Sequence, residues 1–182
     1  MRAGLARANA RGRPCERYHA GILRNALLPL LALAACLTAP GLARANPYNV
    51  SEVPKLIKER EARKLHSAGI HSTDDLLQHA VDPAQRKQLA KQTGLGAGRV
   101  AELARCSDLL RLSDIGPEFV MLLDAAGVKS VPDLAAKDPP ALAKKMSTVN
   151  KARHIANPAP SEAQVKNWVS QAGKLPAVLV KG

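Results

Sequence analysis

The side chains able to do chemistry in this chain are few and scattered. His66 and His71 straddle Gly69, while His79 and His154 stand apart, so no Cys/His set has the spacing of a metal centre. Asp74-Asp75 is a carboxylate pair, but it falls at the start of a helical pattern, where the helix dipole favours negative charge. No serine sits in a nucleophile elbow. Cys106, between Leu103 and Leu110, reads as a small packed residue rather than a nucleophile. Gly94-Leu95-Gly96-Ala97-Gly98, flanked by Lys91 and Arg99, is the densest glycine run. No strand precedes it and its spacing is wrong for a dinucleotide fingerprint. These residues predict no catalytic centre, no metal and no cofactor, and the chain reads as a non-enzyme.

The elements that must position these residues are helical. No period-2 strand pattern is found; apolar residues recur at helical spacing, interrupted by Gly and Pro every ten to fifteen positions. Ser51 is expected to cap a first helix running to about Ser67, with Gly69 as its stop. Ser72 opens a short helix with Asp75 three residues later. Pro83 starts the next, which reaches Gln92. Another spans Ala97 to Leu110. Pro117 opens a helix that stops at Gly127, Pro132 opens a short one, and Pro139-Pro140 leads one through Met146. After the rigid Asn157-Pro158-Ala159-Pro160 break, Ser161 caps a last helix with Val165, Trp168, Val169 and Ala172 on one stripe. Trp168 is expected in the core, and Lys144-Lys145 with Lys151 and Arg153 on a solvated face.

The chain repeats itself. Leu65-x-x-Ala68-Gly69-Ile70-x-Ser72-x-x-Asp75-Leu76 recurs as Leu123-x-x-Ala126-Gly127-Val128-x-Ser130-x-x-Asp133-Leu134, an offset of 58. Asp82-Pro83 is echoed by Asp138-Pro139. A helix ends on Gly, an aliphatic residue plugs the core, and a hydroxyl caps the next helix. Two related helical units packed in one domain are expected.

The formal charge of +12 over 182 residues suggests a nucleic-acid or membrane-surface partner. Its distribution changes that reading. Residues 1–45 hold seven Arg against Glu16, and residues 46–182 hold 20 Lys and Arg against 14 Asp and Glu, so half of the excess lies in the first 45. That segment has a basic lead, an uncharged Leu/Ala-rich run from Asn25 to Leu42, and a small-x-small site at Ala43-Arg44-Ala45. This is the plan of a secretory signal peptide. The run is short for a spanning helix, which needs about 20 apolar residues, and Pro29 and Pro40 interrupt it. Leu33-Ala34-Ala35-Cys36 resembles a bacterial lipobox, which would place the signal at 1–35 and a lipid on Cys36. The expected location is periplasmic or secreted, with a membrane-anchored lipoprotein as the alternative. Membrane association is expected only through a signal anchor or a lipidated Cys36. The three cysteines exclude a dense disulfide framework, and Cys106 alone lies after residue 45.

Ala68-Gly69-Ile70, Thr93-Gly94-Leu95-Gly96 and Leu112-Ser113-Asp114-Ile115-Gly116-Pro117 are similar to the turns of helix-hairpin-helix modules. The span from about Lys55 to Leu175, with Leu56-Ile57-x-x-Arg60, the Ala-Gly-Ile/Val turns and Val165-x-x-Trp168, resembles the bacterial family of domain of unknown function 4332. The resemblance implies an all-α fold of tandem helix-hairpin-helix units, about eight short helices in one compact domain over 46–175, followed by a tail at 176–182. It also implies a site. In the wider superfamily the glycines let a phosphate approach the backbone and the next helix N-terminus holds the anion. Lys91, Gly94, Gly96, Gly98 and Arg99 are the positions that match. Asp114, Ile115 and Gly116 form a degenerate second hairpin, where a carboxylate replaces the first glycine. The leading expectation is a non-catalytic binding or scaffolding module of the cell envelope that engages a protein; sequence-independent DNA binding is the alternative.

Overall fold

The computed structural model describes residues 47–180. The signal-peptide reading, with Cys36, Ala43 and Ala45, lies outside the described residues. Eight helices and no strand are found among them: α1 (Glu59–Ser67), α2 (Thr73–Gln78), α3 (Pro83–Thr93), α4 (Ala97–Leu109), α5 (Pro117–Ala125), α6 (Val131–Ala135), α7 (Pro139–Arg153) and α8 (Glu162–Ala172). The all-α expectation holds. No helix among the described residues is long and apolar enough to cross a membrane.

The starts follow from local chemistry. Ser72, Asp82, Ser130, Asp138 and Ser161 each accept the backbone N–H three residues on. Pro83 and Pro139 occupy first-turn positions, where the missing N–H costs nothing. The first helix departs from expectation. Ser51 caps nothing: its N–H goes to Asn49 Oδ1 and its hydroxyl meets His66 Nε2. Pro54 disfavours helical backbone at Val53, so 50–57 forms turns, with Leu56 and Ile57 both donating to Val53 O. These turns still bury Val50, Val53, Leu56 and Ile57. The helix begins only at Glu59, where the Glu61 carboxylate accepts the Lys58 N–H at 2.9 Å. α7 overruns its expected end at Met146 because no breaker intervenes before His154, which takes left-handed backbone at φ 49°.

The repeat is visible in three dimensions. α2 and α3 pack on α4, and α1 on α3; α6 and α7 pack on α8, and α5 on α7. Each principal pairing of the first four helices therefore has its counterpart in the last four. Turn geometry repeats as well. Gly69 and Gly127 sit at φ 81° and 87°, and the next residue bonds back across the turn, Ile70 N to Leu65 O and Val128 N to Leu123 O. Leu65, Ile70 and Leu76, with Leu123, Val128 and Leu134, all enter one continuous core. Trp168 of α8 is fully buried, with its ring 5.0 Å from Phe119. The tail docks back on the first half: Val180 donates to Val81 O at 2.9 Å and accepts from Arg86 at 2.8 Å.

Candidate functional site

The turn between α3 and α4 is built by a buried threonine and an exposed glycine. Thr93 Oγ1 donates to Leu89 O at 2.7 Å and accepts the Leu95 N–H at 3.3 Å. Gly94 takes left-handed backbone at φ 63°, which a side chain would resist. Leu95 packs on the core. Gly96 is the N-cap of α4 with no side-chain cap. Lys91, Gly94, Gly96 and Gly98 are all exposed. Lys64 of α1 leans over the turn, its ammonium 3.1 Å from Gly94 O.

Arg99 faces inward instead. Its guanidinium binds Glu61 at two points, 2.8 and 2.9 Å, Glu102 at 3.0 Å, and the Leu56 carbonyl at 2.5 Å. The hydrogen bonds from Arg99 hold the Glu61 carboxyl below its ordinary range; burial works against them and the Lys58 N–H adds to them. Arg99 is held more firmly protonated in return. One carboxylate thus caps α1 and ties it to α4.

The Leu112–Gly116 turn joins α4 to α5, which makes it the link between the two halves. By helix order the counterpart of the Gly94 turn is the α7–α8 connection, where His154 takes the left-handed position. There the buried Asn150 side chain replaces the glycines as organiser: it accepts from Ile155 N and Ala156 N at 3.0 and 2.9 Å and donates to Ala156 O at 2.8 Å. Asp114 adopts φ 65°, so the linking turn keeps glycine-like geometry without glycine. Ile115 is buried and Gly116 caps α5. Glu118, in the first turn of α5, pairs with Lys55, leaving a carboxylate where an anion would dock.

The sequence did not signal a second feature, a cleft of about 480 Å³ between α3, α4, α6 and the tail. Its walls are apolar at Pro83, Ala97, Ala101, Pro132 and 177–180, and cationic at Arg86, Lys87 and Arg105. Arg86 spends its donors on the carbonyls of Ala80, Val81 and Val180. Lys87 and Arg105 have no ion pair among the described residues. Asp108, also in the wall, is bound by Arg111 at 2.6 Å, and burial pushes its carboxyl up against that pairing. Cys106 lies outside this cleft. Burial, reinforced by Glu102 and Asp124, pushes its thiol up to about 11, so little thiolate forms at neutral pH.

The described residues form a duplicated all-α domain with a double-glycine turn between α3 and α4 and a basic-apolar cleft beside it. Residues 55–175 match the model of the family described as Domain of unknown function (DUF4332), and the chain belongs to that family. No curated protein and no solved structure matches the chain.

Proposed function

We propose that the protein is a non-catalytic binding module of the cell envelope, built of helix-hairpin-helix units, which engages an acidic, partly apolar segment of another protein. The observation that supports this reading is how the cations are used. Arg99, the arginine that flanks the glycine turn, is consumed by Glu61, Glu102 and Leu56 O. Lys87 and Arg105 instead line the apolar cleft with no ion pair among the described residues, and a carboxylate next to aliphatic groups would satisfy both. The test is photo-crosslinking in the native host from residues 87 and 105. Discrete protein adducts are expected, those from residue 87 disappearing with Arg105→Glu and those from residue 105 with Lys87→Glu; their absence from both positions sinks the reading.

Sequence-independent DNA binding is the second reading, favoured by the exposed α4 N-terminus with Lys64 and Lys91 beside it. Retention on duplex DNA that weakens with salt and with Lys91→Glu would support it. Arg99→Glu is unsuitable for that test, since it would place three carboxylates together and damage the fold. Export belongs to the same proposal. Mass spectrometry should find a mature chain beginning at Asn46 or an acylated Cys36, and an intact Met1 would remove the envelope.

A further inference from the structure

The fold brings together two histidines that the sequence leaves apart. His66 stands in the last turn of α1 and His71 in the link to α2, five residues on and across the Gly69 turn, so no helix-face spacing joins them. Their Nδ1 atoms lie 3.2 Å apart, with ring centroids at 5.0 Å and planes at 78°. His66 Nε2 is 3.1 Å from Ser51 Oγ. Both partners are held in place. The His71 N–H bonds Asp75 Oδ2 at 3.1 Å, and its carbonyl accepts the Val50 N–H at 3.0 Å. Ser51 is fixed through its N–H to Asn49 Oδ1 at 2.9 Å.

A neutral imidazole carries one N–H. If His66 gives its Nε2–H to Ser51, its Nδ1 presents a bare lone pair toward His71 Nδ1. Either a proton on His71 or a cation must then lie between the two nitrogens. An ion about 2.0–2.1 Å from each nitrogen would subtend an angle of about 100° across a 3.2 Å separation, close to tetrahedral. The neighbouring Asp75 carboxylate adds negative charge. His71 is exposed and His66 half-buried, which leaves room for solvent at the pair. Among the described residues no group of three or more His, Cys, Asp or Glu side chains could hold a metal, so water would complete the coordination and the ion would exchange readily.

We propose that His66 and His71 form an exchangeable two-imidazole site for a late first-row divalent cation. Cu²⁺ should bind most tightly, since imidazole sites follow the usual divalent-ion order. Ser51 is the outer partner that sets the tautomer of His66. This departs from the sequence expectation of no metal, because the pairing arises from the turn and not from spacing.

The experiment titrates the full chain with Cu²⁺ in a non-coordinating buffer, read by equilibrium dialysis and electron paramagnetic resonance. One ion per chain with two-nitrogen splitting is expected. His66→Gln or His71→Gln should abolish the two-nitrogen signal while the thermal melt stays cooperative. Ser51→Ala should keep that signal and weaken affinity by about tenfold. Joint replacement of His19, His79 and His154 by Asn should change neither signal nor stoichiometry. Absence of a stoichiometric ion, or a two-nitrogen signal that survives His71→Gln, overturns the site.

Discussion

At the scale of single residues, the Glu61–Arg99 contact makes the most demanding prediction. Glu61 caps α1, receives two bonds from Arg99 and is half-buried. Glu61→Gln should destabilise the domain by about 1.5–3 kcal/mol, the range for charge-assisted hydrogen bonds, as read by urea unfolding. The sign of its pH dependence follows from its lowered folded pKa. The unfolded chain binds the proton first, so this stability is full above the ordinary carboxylate range and is lost as pH falls through the lowered value. Asp75 and Asp133 act in the same direction. Asp108, raised by burial, acts oppositely and gives up stability as pH rises through its folded value. The wild-type urea midpoint should therefore fall on acidification, and Glu61→Gln should flatten that fall. Asp114 offers a separate test. Left-handed backbone costs most L-residues about 1–2 kcal/mol, and Asp114 sits at φ 65°. Asp114→Gly should be neutral or stabilising, whereas Asp114→Val should destabilise by about 1–2 kcal/mol in the same assay.

At the scale of elements, the caps and stops were legible because they are local. Ser72, Pro83, Pro117, Gly127 and Ser161 act through bonds reaching at most five residues, which a sequence displays directly. The matched caps Ser72→Ala and Ser130→Ala should each cost about 1 kcal/mol by chemical denaturation. Gly69→Ala and Gly127→Ala should each cost about 1–2 kcal/mol from backbone strain alone, since an added Cβ meets nothing within 4 Å at Gly69 and only the flexible Lys145 ammonium, 3.5 Å away, at Gly127. What could not be read was decided at a distance. Arg99 looked available for a phosphate because Glu61 is 38 positions away. Ser51 looked like a cap because Pro54 and the His66 ring act on it from outside the capping pattern. The α7–α8 turn hid its kinship to the Gly94 turn because a buried Asn150 and a left-handed His154 replace the glycines there.

At the scale of the whole molecule, the tail is the part the sequence placed least well. No local pattern in 176–182 shows where it docks, yet Val180 reaches Val81 and Arg86 in the first half and Leu179 packs on the core. Deleting 176–182 should lower stability by about 1–2 kcal/mol, the worth of the lost hydrogen bonds. Hydrogen exchange should show the earliest loss of protection in α3, where Arg86 would be left without its tail carbonyl. The same deletion removes one wall of the basic-apolar cleft, so crosslinking from residue 105 should fall with it.

The doubled architecture also turns the chain into its own calibration standard. A substitution made at Ser72 can be made at Ser130, and one at Gly69 can be made at Gly127, under one buffer, one temperature and one unfolding transition. Whatever the two members of a pair share belongs to the local chemistry of cap or turn. Whatever they do not share measures the surroundings, free of the uncertainties that trouble comparisons between separate proteins.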